Sequence, residues 1–273
     1  IYLVISAVFI GCTPILSIDA STQSVYHFSD TDKNISLLDI SETFGTYDGS
    51  FVLYDNNLDS WKIYDLEEAT KRIPPESTYK IYDALLGLES GIITPEHSSM
   101  TWNGDAFPFP SWEADQDLNS AMQNSVNWYF QAIDSQLGIN RVQEFLNKIE
   151  YGNQTTSSNL DLYWSDFSLK ISPLEQVTLL KKFNTNEFHL NFQNVFSVKN
   201  AIKIASTPNG NFYGKTGTGR VNGQDINGWF IGYVETSDNS YYFATNIQSD
   251  SNATGKKAFE ITSDILKKLH IWN

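Results

Sequence analysis

"PPESTYKIYDALLGLES", residues 74–90, places Ser77 and Lys80 three positions apart at the start of an apolar run. Proline in a first helical turn is preorganised and gives up no needed hydrogen bond, so Pro74 and Pro75 predict a helix starting near Glu76 or Ser77. Residues i and i+3 share a helix face, which brings the Lys80 amine within reach of the Ser77 hydroxyl. Amides at a helix start point where an oxyanion would develop, so one turn can supply both nucleophile and electrostatic stabiliser. Serine is a weak nucleophile without a base, and a lysine at its ordinary pKa of ~10.4 is charged at neutral pH. Keeping that lysine neutral costs about 4.6 kcal/mol, which full burial can supply. "IYDALLGL" provides the apolar wall. Taken alone, the pair is better read as a serine at a helix start beside a solvent-facing lysine.

Outward from this helix, strand patterns lie toward both ends of the chain. Upstream, "ISLLDISETFG" (35–45) reads as a short helix, and "GSFVLYDNN" (49–57) with "SWKIYDL" (60–66) reads as a hairpin around an Asn-Asn-Leu-Asp turn. Helical stretches follow at 115–136, 139–149 and 173–183. "NFYGKTG" (211–217), "GWFIGYVE" (228–235) and "SYYFATNI" (240–247) read as strands, and 255–270 as a closing amphipathic helix. The sheet must therefore be assembled from both ends around a helical block. The expected class is α+β, an antiparallel sheet of about five strands flanked by helices plus an all-helical subdomain.

The chain has 273 residues, 41% of them apolar, enough for one sizeable core over 36–273. Its formal charge of −14 opposes phosphate backbones, so nucleic acid is not an expected partner. Cys12 is the one cysteine and the four histidines are scattered, so neither an intrachain disulfide nor a metal site is expected. "IYLVISAVFIGC" (1–12) has the length and apolarity of a signal-peptide core, and "FIGC" resembles a bacterial lipobox. Export is expected, with the product either secreted or tethered to the membrane through a lipidated Cys12. Residues 13–35, rich in Ser, Thr and Asp, read as a polar tether.

Two further motifs lift Ser77 and Lys80 out of isolation. "YGKTGTG" (213–219) puts Lys215, Thr216 and Gly217 in an aromatic strand, where a cation, a hydroxyl and a glycine suit recognition of a carboxylate. It is not a phosphate-binding loop, because Gly210 and Gly214 enclose three residues where that motif needs four. "NSVNW" supplies Ser125 and Asn127 from the helical block.

S-x-x-K, S-x-N and K-T-G in that order resemble the penicillin-recognising serine acyltransferases, which include penicillin-binding proteins and serine β-lactamases. "PESTYK", Trp102, Gly104, Trp112, Glu113, Asp115 and Leu118, "YGN" at 151–153, Trp164, and Trp229 with Gly232 narrow the resemblance to class D β-lactamases. "SVNWY" and "GKTGTG" also resemble the sensor domains of β-lactam-responsive membrane receptors. The resemblance implies that Ser77 attacks a β-lactam carbonyl and that Lys80, N-carboxylated by carbon dioxide, acts as general base. It implies that Trp164 donates to the carbamate and that Ser125 relays a proton to the leaving nitrogen. Lys215, Thr216 and Gly217 would hold the substrate carboxylate, and the amides of Ser77 and Thr218 would form the oxyanion hole. No other cofactor is implied.

Two departures from class D stand out. Asn127 occupies the place of a small apolar residue; its amide can bond the Lys80 amine, discourage carboxylation and strand the acyl-enzyme. "TGKKAF" replaces a G-x-R stretch, leaving Lys257, or Lys256, as the carboxylate-binding cation. With one short export signal and no transducing helices in view, a hydrolase is the first expectation. A slowly deacylating sensor is the second, and a peptidoglycan transpeptidase or carboxypeptidase the third.

Overall fold

The computed structural model describes residues 34–161 and 163–273. The expected signal segment with Cys12, and the tether as far as residue 33, lie outside the described residues. Among those described, no helix is long and apolar enough to cross a membrane.

In chain order the elements are β1 (Ile35–Leu37), α1 (Ser41–Phe44), β2 (Asp48–Asp55), β3 (Ser60–Tyr64) and α2 (Leu66–Thr70). A 3-10 turn (Glu76–Tyr79) leads into α3 (Lys80–Glu89). Then come α4 (Leu118–Gln123), α5 (Asn127–Leu137), α6 (Ile139–Ile149), α7 (Pro173–Asn184) and α8 (Phe192–Ala201). The chain closes with β4 (Lys203–Thr207), β5 (Gly210–Val221), β6 (Gln224–Glu235), β7 (Ser240–Gln248) and α9 (Gly255–Lys268).

The α+β expectation holds. The strands form one seven-stranded sheet in the order β1-β3-β2-β7-β6-β5-β4, so β2 from the first hairpin lies beside β7 from the last. Alternation along the strands feeds two cores. Phe51, Leu53, Phe243 and Ile247 face one way and pack with Ile261 and Ile265 of α9. Val52, Tyr54, Tyr242 and Ala244 join the helical layer that holds α3, α5 and α7. The central strands β2, β6 and β7 are buried over most of their length because both faces are covered.

Three details correct the sequence reading. Residues 35–37 pair in parallel with β3 and only Ser41–Phe44 is helical, so "ISLLDISETFG" begins as an edge strand and not as a helix. β4 adds the other edge, where its mostly exposed residues carry little periodic signal. The expected helix 115–136 is two helices, α4 and α5, broken at Asn124–Val126, with Ser125 at φ 55°. Apolar spacing misses the break, since Ala121, Met122, Val126, Tyr129 and Phe130 are buried on both sides of it. The break lifts Ser125 out of helical geometry and starts α5 at Asn127, beside the Ser77 turn.

Candidate active site

Ser77 sits in the 3-10 turn, which is fastened from three directions. Trp229 Nε1 and Asn227 Nδ2 donate to Pro74 O at 2.8 and 3.1 Å, and the Glu76 amide donates to Trp164 O at 3.0 Å. These ties hold Glu76 at φ 53°, a left-handed conformation costly to a non-glycine residue. The buried Glu76 carboxyl accepts from Asn227 at 3.2 Å; burial pushes it up to about 8, against the pull of Asn227 and of Lys80.

The Lys80 side chain is wholly buried. Its Nζ lies 2.7 Å from Ser77 Oγ, 2.6 Å from Asn127 Oδ1 and 3.5 Å from Ser125 Oγ. An amide oxygen only accepts, so Nζ must spend an N–H on Asn127. As a neutral amine it still has a lone pair to turn toward the Ser77 hydroxyl. Burial first, and the neighbouring Lys215 second, hold the amine well below the usual lysine range, while Asp83 and Glu76 pull the other way. The dry pocket expected for Lys80 is present. Phe130 and Trp164 wall it, with ring centroids 5.7 and 5.9 Å from Nζ.

Ser125 bridges the two amines, accepting from Lys215 Nζ at 3.0 Å as well as from Lys80. Lys215, pushed down to about 7 by burial, also donates to Thr216 O at 3.0 Å. Along β5 the backbone passes close to the nucleophile: a Cβ on Gly217 would stand 3.1 Å from Pro75 O and 3.3 Å from Ser77 N. β4 pairs with β5 only from Gly210 to Tyr213, so beyond that point the outer edge of β5 has no strand partner. It contributes Thr216, Gly217 and Thr218 to a cleft of about 340 Å³ that Ser77, Ser125 and Asn127 also line.

Lys257 is not among the lining residues; its amine lies 3.4 Å from Glu260 on the exposed side of α9. The cation at the rim is Arg220, which follows a register shift between Gly219 and Arg220, and whose Nε donates to Asp225 at 2.7 Å. A bulge of this kind re-aims the side chain that follows it, and spacing alone cannot disclose that. Phe109 and Trp112 form an aromatic side of the cleft, whereas Trp229 is core. Tyr151-Gly152-Asn153 has a structural place. Asn153 donates to Ser168 O at 2.7 Å and accepts from Lys170 N at 2.9 Å, pinning the loop that carries Trp164. Sequence reading missed Glu76, Asn227 and Arg220; only Arg220, directly after "KTGTG", left a visible signal.

With this arrangement in view, the comparison with known proteins is specific. Residues 46–267 match the penicillin-binding protein transpeptidase domain. The chain belongs to that family. This transpeptidase-family chain is 45% identical over 272 residues to the regulatory protein BlaR1 of Bacillus licheniformis, covering 99% of this chain and 45% of that protein. It is 40% identical to the methicillin resistance mecR1 protein of Staphylococcus aureus, over 96% of this chain and 46% of that protein. It thus spans about half the length of these curated relatives. The probable β-lactamase YbxI of Bacillus subtilis is 37% identical over 86% of each chain. Among solved structures, the C-terminal domain of the Bacillus licheniformis BlaR penicillin-receptor superposes with a TM-score of 0.85 at 46% identity, over 88% of this chain and 98% of that one. The class D β-lactamase BAT-2 superposes with a TM-score of 0.81 at 36% identity, over 86% and 97%. The α+β transpeptidase-family fold resembles both.

Proposed function

We propose that this domain is a β-lactam receptor, in which Ser77 is acylated by a β-lactam and holds the acyl group for a long time. The observation that carries the reading is the 2.6 Å bond between Lys80 Nζ and Asn127 Oδ1. In the acylation step the Ser77 proton passes to the neutral Lys80 amine as Oγ bonds to the lactam carbonyl carbon. The oxyanion faces the Ser77 and Thr218 amides. When the ring C–N bond breaks, the nitrogen takes the proton through Ser125, which already lies between Lys80 and Lys215. Thr216 and Lys215 hold the ring carboxylate, and Arg220 lends a permanent charge at the rim. Replacing Arg220 by Ala lowers the acylation rate constant about tenfold at low salt and less at high salt, read by stopped-flow fluorescence, the lower end expected for a hydrogen bond to a charged group.

Release of the acyl group needs a base for water. Asn127 engages Nζ in a short hydrogen bond that competes with its reaction with carbon dioxide, so carboxylation is disfavoured and the ester persists. The similarity to the BlaR penicillin-receptor supports this reading over the hydrolase expected first. Turnover by a carboxylated Lys80 is the second reading, supported by the class D similarity and by the dry amine. A chromogenic cephalosporin separates the two. The receptor gives one stoichiometric burst, unchanged by bicarbonate, whereas sustained turnover stimulated by bicarbonate would establish the hydrolase. Asn127→Val removes the bond to Nζ, and deacylation is expected to speed up at least tenfold, measured by mass spectrometry of the decaying adduct.

A further inference from the structure

Behind the site, two carboxyls meet in the core. Asp83 is the third residue after Lys80 on α3 and shares its face. Asp134 is the seventh after Asn127 on α5, two turns along the same face. α5 lies close to α3 where Gly87 leaves room: a Cβ there would stand 2.9 Å from Ile133 Cγ2. The helix packing that sets Asn127 on the Lys80 amine thus also sets Asp134 against Asp83.

Both side chains are wholly buried. Among the described residues, no N–H donor reaches their four oxygens; each carboxyl has the other beside it, and the Tyr163 hydroxyl lies alongside Asp134. Two carboxyls bond one another only through a proton, and two bare carboxylates cannot share a dry site. Burial, then the neighbouring Asp134, push Asp83 well above the ordinary carboxyl range, and burial pushes Asp134 up to about 8. The surrounding titratable groups are Lys80 on α3, Tyr79 in the 3-10 turn, Tyr129 on α5, and Tyr163 and Asp161 in the loop before Trp164. The three tyrosines are themselves held neutral by burial. Glu76 and Lys215 act on Lys80 from the cleft side. The cation that acts on the pair, through Asp83, is therefore Lys80.

We propose that Lys80, Asp83 and Asp134 form one proton-holding unit, in which the carboxyl pair is a positioning element that decides when Lys80 is a free base. Two arrangements hold the same number of protons: a neutral amine with two carboxylic acids, or an ammonium with one acid and one carboxylate. In the first the Nζ lone pair can take the Ser77 proton; in the second it cannot. The consequence for acylation rests on the reading of Ser77 as nucleophile, but the shared titration does not. Asp83→Asn removes the carboxylate that stabilises the ammonium while keeping the volume, whereas Asp134→Asn removes the neighbour that keeps Asp83 protonated and so frees Asp83 to ionise.

The test is a titration of the Lys80 side chain by NMR in protein carrying 13Cε-lysine, with the resonance assigned through Lys80→Arg. In Asp83→Asn the Lys80 midpoint falls by at least one pH unit, a tenfold loss of proton affinity, in Asp134→Asn it rises by a similar amount, and the acidic limb of the acylation profile moves with it in each variant that folds. A midpoint that stays within 0.3 unit of wild type in the folded variants overturns the proposal. If no β-lactam acylates the wild-type protein, the receptor reading fails while the titration still decides the shared unit.

Discussion

Lys80→Ala lowers the rate constant for acylation of Ser77 by about a thousandfold, within the roughly 10²–10⁴ that a positioned general base contributes. The geometry leaves no substitute. The other amine near Ser77 is Lys215, whose bonds run to Ser125 and Thr216 O and not to the nucleophile. The pH dependence carries the sign. Burial and Lys215 depress the proton affinity of Lys80, so wild-type acylation rises with pH as the ammonium loses its proton, with a midpoint well below that of a free lysine. In Lys80→Ala that rise is absent. Mass spectrometry of the adduct across pH 5–9 reads both effects; a variant acylated at the wild-type rate would remove Lys80 from the mechanism.

Glu76→Gln stabilises the fold at neutral pH. In the folded protein the Glu76 proton is held until about pH 8, whereas in an unfolded chain it is lost near 4.5. Across that window the native state binds the extra proton, so stability falls as pH rises. The loss amounts to roughly 3 kcal/mol at pH 7. Glutamine keeps an acceptor for Asn227 without the ionisation cost, so urea midpoints of the variant lose the Glu76 share of the slope between pH 5 and 8, while Asp83 and Asp134 keep theirs, and exceed the wild type at pH 7. A slope left unchanged by the substitution would remove Glu76 from its origin.

The sequence was most legible where chemistry and periodicity coincide. Pro74-Pro75 and the i, i+3 spacing announced Ser77 beside Lys80, and the aromatic alternation around Lys215 announced a strand passing the nucleophile. Asn127 stands out in the sequence as a departure from class D, and its bond to Nζ lies at that departure. What stayed hidden depends on backbone detail or distant packing. Ser125 leaves helical geometry through one positive φ inside an unbroken apolar pattern. Arg220 reaches the rim through a register shift, and Lys257 turns to Glu260 because it lies on the exposed side of its helix. Asp83 and Asp134 look like surface residues of two separate helices until Gly87 allows those helices to approach.

The strand order also bears on how the molecule is made. Because β7 separates β2 from β6, the opening hairpin acquires its inner neighbour only when residues 240–248 arrive, nearly two hundred positions later. Contacts of such sequence separation close slowly. A nascent polypeptide emerging from the ribosome therefore exposes the Phe51–Tyr54 strand until residues 240–248 have been made, and a holdase that shields this segment would raise the yield of native protein.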